Sequence, residues 1–315
     1  MTDDWALQSL RASRATPPGL AATDPERRVL YSAALEQFEQ LLKAAQVVGP
    51  AARPLPLFYA LSQAGRAIVA ARGEEAQVSG HGLAEVRTAP APDDVLHRRV
   101  KRAPSKSGRD AFGAVSRAIG SSDLVTPVQL GELWAGLPGT YRVPGRSWLP
   151  HWRSSLMVLE EATTEVGRTR VQVLSAAGNP HVGAEEALCG RYPSLPPDTT
   201  VGLKPQPDGL EPGNWFAVLM WDDTHDIDHV VPNDLGPDSR RHLIPLLAEH
   251  QQQPDLLMVW WALLFGFSIL ARYHPALWAQ VLDVDRSEHA VPLEGVLKRA
   301  LDAAPLLIHE AILGY

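Results

Sequence analysis

Arginine and histidine side chains stand next to apolar segments at two places in this chain. Arg272, Tyr273 and His274 follow directly after the apolar segment 256–271, and His81 stands between two glycines. An arginine can bind a phosphate group, and a histidine can transfer a proton near neutral pH. Together these residue types are the minimum for RNA cleavage without a metal. The candidate catalytic residues are therefore His81, Arg272 and His274.

A second polar group is predicted to lie on one face of a helix. Tyr59, Gln63 and Arg66 are spaced at i, i+4 and i+7, which brings their side chains together on a helix. With Tyr273, they are the candidate ligand-binding residues. A structural role is the alternative for the arginines and histidines, because cations also hydrogen-bond to carbonyl groups at helix C-termini.

A basic segment could contact phosphate groups. Residues 97–109 contain six Lys or Arg side chains and no acidic residue, although the chain has a net charge of −7. Cations near a polyanion release its condensed counterions, which favours binding. The alternative is a solvated loop that keeps the protein soluble, since no aromatic residues are interleaved with the cations. The candidate nucleic-acid-binding residues are Arg98, Arg99, Lys101, Arg102, Lys106 and Arg109.

No metal or cofactor site is predicted, although one acidic cluster leaves the question of a metal open. Residues 222–229 include His225 and His229 at i and i+4, the spacing of two metal ligands on a helix. The flanking sequence indicates a loop instead, and an acidic surface turn is the simpler interpretation. Neither a glycine-rich phosphate loop nor a Gly-x-Ser-x-Gly nucleophile motif is present.

Cysteine content and hydropathy indicate a cytoplasmic protein. Cys189 is the single cysteine among 315 residues, which excludes an internal disulfide and fits a reducing compartment. The acidic N-terminal residues do not resemble a secretory signal. Segment 256–271 would span less than the roughly 30 Å of a bilayer core, so it predicts a buried helix and no membrane partner.

The elements that must position these residues are mainly helical, and the predicted fold is a helical bundle with a small β-rich central insertion. Helices are predicted for 24–49, 57–72, 109–119, 127–135, 256–271, 277–282 and 293–301 and after Pro305, and strands for 155–159, 168–174 and 215–221. We expect a flexible arm over 1–25, a helical part over 26–140, a β-containing loop-rich part over 141–235, and a C-terminal helical part over 236–315. The two helical parts are expected to pack as one composite unit.

Four blocks in order resemble the YaaC-like bacterial proteins. These are Leu57-Phe-Tyr-Ala-Leu-Ser-Gln-Ala-Gly-Arg66, Gly80-His-Gly-Leu83, residues 130–138, and residues 267–278 with Ala-Arg-Tyr-His-Pro and Trp278. The resemblance implies architecture more than activity, because helical parts of this family look similar to HEPN-type bundles. Such bundles bind or cleave RNA in other settings. Active HEPN ribonucleases usually carry an arginine a few residues before a histidine; here eight residues separate Arg72 from His81.

Three functions are compatible with these features. The first is binding of RNA or a nucleotide through the basic segment and the Arg/His/Tyr residues. The second is a metal-independent ribonuclease that uses either Arg272 with His274 or Arg72 with His81. The third is a non-catalytic interaction protein, such as a homodimer formed through the alanine- and glycine-rich face of the helix over 57–72.

Overall fold

The chain forms two compact units. The computed structural model describes residues 5–75, 77–88, 94–106, 108–138, 155–163, 168–175, 190–204, 215–222, 241–247 and 252–314. Unit 1 consists of residues 1–130 and 254–315, and unit 2 consists of residues 131–253. The second boundary lies beyond the predicted one at 235, because residues 242–243 pair with a strand of unit 2.

The described chain is mainly α-helical and has two small antiparallel sheets. Its helices are α1 (Trp5–Ser13), α2 (Leu20–Thr23), α3 (Pro25–Val47), α4 (Pro54–Arg72), α5 (Ala111–Ala118), α6 (Leu130–Gly136), α7 (Leu256–Tyr273), α8 (Pro275–Val281) and α9 (Ala290–Leu313). Its strands are β1 (Leu83–Val86), β2 (Arg99–Arg102), β3 (Val128–Gln129), β4 (Leu156–Thr163), β5 (Arg168–Ser175), β6 (Thr200–Lys204), β7 (Trp215–Asp222) and β8 (His242–Leu243). The prediction of a mainly α protein with a β insertion is therefore confirmed.

Helix α7 is the central core helix of unit 1. It begins where the Asp255 carboxylate accepts a hydrogen bond from Leu257 N at 2.8 Å, and most of its side chains are buried. Its 18 residues are long and apolar enough to cross a membrane, yet 72% of them are buried inside the protein. The Trp261 ring lies against Gly65 of α4, where an added Cβ would stand 2.4 Å from a ring carbon. The two helices therefore approach closely because residue 65 has no side chain.

Arginines from other segments donate hydrogen bonds to the C-terminal carbonyl groups of two long helices. Arg27 is buried and donates hydrogen bonds to the carbonyl oxygens of Val69, Gly73 and Glu74 at the end of α4. Arg53 donates similarly to Ala45 O and Val48 O at the end of α3. The last carbonyl groups of a helix have no hydrogen-bond partner within it, so these arginines serve as their donors in place of water. Their positive charges also interact favourably with the helix dipole.

Two predicted features of the termini differ from the structure. Residues 5–13 form helix α1 instead of part of a flexible arm, since Ala6 and Leu10 are buried and Ser13 hydrogen-bonds the Tyr31 hydroxyl at 2.6 Å. Helix α9 continues through Pro305, which was expected to separate two helices. Buried residues lie on both sides of this proline, and their packing outweighs the loss of one backbone hydrogen bond.

The basic segment, for which a solvated loop was one alternative, contributes strand β2 to a three-stranded sheet. The order is β1-β2-β3 with antiparallel pairing, and Val100 lies opposite both Glu85 and Val128. Val100 and Val128 are buried. Two residues of the helix predicted over 127–135 are taken by β3, so α6 begins at Leu130.

Unit 2 contains a five-stranded antiparallel sheet in the order β6-β7-β5-β4-β8. The strands predicted over 155–159 and 168–174 are confirmed, and they pair as β4 and β5 from Met157 opposite Leu174 to Thr163 opposite Thr169. The prediction of a strand over 215–221 is also confirmed. Alternate side chains of the sheet form one core cluster, which includes Leu156, Val171, Val173, Leu219 and Trp221.

Candidate functional site

Arg272 lies at the C-terminal end of α7 between two exposed tyrosines. Its Nη1 donates a hydrogen bond to the Tyr59 hydroxyl at 3.0 Å. The guanidinium carbon is 4.9 Å from the ring centroid of Tyr273 and 6.0 Å from that of Tyr59. These tyrosines are 65% and 42% exposed, respectively. No ion pair joins Arg272 to a carboxylate of the described residues, so its charge faces aromatic rings and solvent.

His81 lies near this arginine and packs against two aromatic rings. Its ring centroid is 6.0 Å from that of Phe58 and 5.1 Å from that of Phe265, and both phenylalanines are buried. Phe58 precedes Tyr59 on α4, so one helix supplies residues for both parts of the site. We call Tyr59, His81, Arg272 and Tyr273 the arginine–tyrosine cluster.

The hydrogen bonding of His81 determines where its proton lies. Leu83 N donates a hydrogen bond to His81 Nδ1 at 3.1 Å. A ring nitrogen that accepts a hydrogen bond carries no proton, so the neutral ring carries its proton on Nε2. Nε2–H is therefore a hydrogen-bond donor on an exposed residue.

The surroundings of His81 favour its neutral form. Burial of the ring against the phenylalanines lowers its pKa, and the positive charge of Arg272 lowers it further. The negative charge of Asp110 acts in the opposite direction and is the weakest of the three influences. Although much of the residue is exposed, one side of the ring packs on apolar groups, which explains why burial has the largest effect.

We expect His81 to make the protein less stable in mild acid. A histidine whose pKa is lowered by folding contributes stability above its unfolded pKa, near 6.5, which is lost as the pH falls through its folded value. His81→Asn keeps an acceptor for Leu83 N but does not titrate. Urea unfolding of both proteins from about pH 8 to about pH 5 should show the stability of the wild type falling more steeply below the unfolded pKa. A pH-independent difference between them would contradict this assignment.

The other candidate residues of the helical core do not join the cluster. Arg66 donates to Val78 O at 3.1 Å, and Arg72 donates to Ala311 O at 2.8 Å at the end of α9. Gln63 is half-buried on α4, and His274 directly precedes α8, where its carbonyl accepts from Trp278 N. Neither makes a side-chain hydrogen bond within the described part of the chain. The structure therefore brings together only some of the predicted site residues.

The strand geometry divides the basic segment into two sets of cations. Arg98 is 9% exposed and pairs with Glu85 at 2.8 Å. Arg102 pairs with Asp110 at 3.1 Å and with Asp123. The charges of these two arginines are thus compensated inside unit 1, which the unbroken run of cations in the sequence did not indicate. The exposed cations of the segment are Arg99, Lys101, Lys106 and Arg109.

Asp110 is a positioning residue that was not predicted from the sequence. It is fully buried, caps α5 by accepting a hydrogen bond from Gly113 N at 2.8 Å, and pairs with Arg102. A Cβ added to Gly82 would stand 2.1 Å from its carboxylate. An aspartate directly before an amphipathic helix is the sequence signal that could have identified the cap. Asp110 thus ties the turn that carries His81 to α5.

The acidic cluster over 222–229 lies mostly outside the described residues. Only Asp222 is described, and its carboxylate is 3.5 Å from Arg168 Nε. Across the ranges that the structure describes, no group of three His, Cys, Asp or Glu side chains could hold a metal ion.

The fold and this surface define a mainly helical protein with a half-buried arginine held between exposed tyrosines. The family model described as YaaC-like Protein matches residues 8–312. The chain therefore belongs to the YaaC-like family, as the four sequence blocks predicted. No curated protein and no solved structure matches the chain significantly.

Proposed function

We propose that this protein binds RNA or a nucleotide at the arginine–tyrosine cluster. The observation that carries the proposal is the Arg272 guanidinium, which has no carboxylate partner among the described residues and lies between two exposed tyrosines. Arginine is the side chain best suited to bidentate binding of phosphate. A charge of this kind beside aromatic rings fits a ligand that carries both a phosphate and a planar base.

Each member of the cluster has a chemical role in this proposal. Arg272 and the Nε2–H group of His81 donate hydrogen bonds to phosphate oxygens. Tyr59 and Tyr273 offer ring faces on which a base can stack, a contact worth about 1–3 kcal/mol per base.

Binding is better supported than cleavage. A general base in metal-independent RNA cleavage must accept a proton from the 2′-hydroxyl. In His81, Nδ1 is occupied by Leu83 N–H and Nε2 already carries the proton. The general acid would be the imidazolium form, which the lowered pKa of His81 disfavours. Arg72 is engaged with Ala311 O, so the predicted pair of Arg72 with His81 is not assembled.

The proposed homodimer face is enclosed within unit 1. The small residues Ala60, Ala64 and Ala67 of α4 are fully buried, and Gly65 lies against Trp261. The burial of this face supports the binding proposal over a homodimer formed through it. The relationship to HEPN-type bundles and the cytoplasmic location stay predictions.

Titration with adenosine 5′-monophosphate tests the proposal. Arg272→Ala should weaken binding by about tenfold to a hundredfold, because a charge-assisted hydrogen bond contributes about 1.5–3 kcal/mol. Isothermal titration calorimetry measures the affinity. Arg286→Ala is the matched control, since this arginine side chain is 86% exposed and pairs only with Asp283 among the described residues. Equal affinities of the Arg272→Ala variant and the wild type, or no binding by either, would refute the proposal.

A further inference from the structure

We infer that the ligand of the arginine–tyrosine cluster is a single-stranded RNA whose backbone continues along the outer face of the three-stranded sheet. This inference rests on the proposed function and names its ligand as a polymer rather than a mononucleotide. It comes from the division of the basic segment by strand β2, whose alternate side chains point to opposite faces.

The pairing of β2 identifies the residues of the outer face. Residues directly opposite each other in an antiparallel pair have their side chains on the same face. Leu83 lies opposite Arg102, and both belong to the inner face, where Leu83 is buried. Lys101 lies opposite Ala84 and Arg99 opposite Val86, so these two cations share the outer face.

The two outer cations are free to meet an external anion. Arg99 and Lys101 are exposed, and no ion pair joins either of them to another residue of the described chain. Because they are two residues apart on a strand, their Cα atoms are separated by about 7 Å. Two adjacent phosphates of an extended strand can each meet one cation at such a spacing.

The sheet adjoins the arginine–tyrosine cluster at the end of β2. Ala103 N donates a hydrogen bond to Gly82 O at 2.8 Å, so the end of β2 adjoins the turn that carries His81. His81 is three residues before Ala84, the residue opposite Lys101, which corresponds to about 10 Å along the chain. A strand that crosses Arg99 and Lys101 and passes over this end of β2 can therefore reach His81 within a few nucleotides.

The cluster favours a single strand over a duplex. Tyr59 and Tyr273 are exposed, and their rings can stack only on bases that are not enclosed in a base-paired helix. Positively charged grooves beside aromatic side chains are the usual means of binding unpaired strands. A membrane surface is the competing polyanion, but it offers no planar group for the tyrosines.

A labelled single-stranded RNA of about 12 nucleotides tests the inference. Fluorescence anisotropy measures its affinity over a range of salt concentrations. The double variant Arg99→Ala/Lys101→Ala should bind this RNA about tenfold more weakly. The slope of log affinity against log salt should become less steep by about 1.4, since each phosphate contact of a single strand contributes about 0.7. Its affinity for adenosine 5′-monophosphate should equal that of the wild type. The control Arg286→Ala/Lys298→Ala removes the same charge from exposed positions elsewhere.

The outcomes separate this inference from the proposed function. If the double variant and the control bind RNA equally well while Arg272→Ala still loses mononucleotide binding, the inference of a polymeric ligand is wrong and the proposed function stands. If Arg272→Ala loses nothing, the proposed function is wrong as well. The wild type could instead bind phosphatidylglycerol vesicles but not RNA, and the double variant could lose this vesicle binding. That result would identify a membrane surface as the ligand and overturn the inference. Circular dichroism of each variant establishes that it is folded.

Discussion

Replacing Gly82 with alanine is expected to destabilise the protein by about 3 kcal/mol. Gly82 has φ of +80°, a left-handed conformation that costs a residue with a side chain about 1–2 kcal/mol. The new Cβ would also stand 2.1 Å from the Asp110 carboxylate, which is fully buried and pairs with Arg102. Displacement of Asp110 would weaken both this ion pair and the cap of α5. Urea unfolding measures the loss of stability.

Gly80→Ala is the matched control for this substitution. Gly80 also has a positive φ, +72°, but nothing lies within 4 Å of the position its Cβ would take. Only the conformational cost applies, so we expect a loss of about 1 kcal/mol. Equal destabilisation by Gly80→Ala and Gly82→Ala would show that the contact with Asp110 contributes nothing. Only Gly82→Ala should also disturb the orientation of His81 and thereby weaken nucleotide binding.

The second large effect is expected at the contact between α4 and α7. Gly65→Ala would place a methyl group 2.4 Å and 2.8 Å from two ring carbons of Trp261 and 3.1 Å from a methyl group of Val115. Trp261 is fully buried and its ring packs against Phe112 at a centroid distance of 5.8 Å, so it cannot move without disturbing the core. Overpacking of this kind costs about 1–3 kcal/mol, and we expect a loss of about 2 kcal/mol.

Gly295→Ala should have the opposite sign. Gly295 is exposed within α9, and nothing lies within 4 Å of its hypothetical Cβ. Alanine there should stabilise the protein by about 0.5–1 kcal/mol, because glycine is the poorer helix former. Thermal or urea unfolding of both variants gives the comparison. Stabilisation by Gly65→Ala would show that α4 and α7 are not in close contact.

Local patterns in the sequence were sufficient for the elements whose formation depends on nearby residues. Asp24 and Pro25 marked the start of α3, and the structure shows the Asp24 carboxylate accepting from Glu26 N and Arg27 N. The apolar run after Asp255 identified α7 as a core helix. Short runs rich in apolar and β-branched residues in 155–159 and 168–174 identified the strands β4 and β5. Each signal acts over one or two turns of helix or one strand length.

Packing between distant segments decided the features that these patterns missed. Residues 5–13 were expected to lie in a flexible arm, yet Ala6 and Leu10 become buried when α1 packs on other helices of unit 1. Pro305 is tolerated because the two halves of α9 are held by their buried side chains. A helix boundary predicted from one residue cannot include that tertiary contribution.

The residues of the candidate site show the same difference between what local sequence patterns determine and what packing between distant segments decides. The sequence by itself determined that arginine, histidine and tyrosine side chains follow or interrupt the apolar helices, and that six cations stand close together. Only the tertiary structure decided that Arg272 meets Tyr59, 213 residues away, and that His81 lies near Arg272. It also turned Arg98 and Arg102 inward to carboxylates while leaving Arg99 and Lys101 outside. The physical reason is that residue types and local periodicity are properties of the chain, whereas neighbouring charges and rings are set by the packing of elements far apart in it.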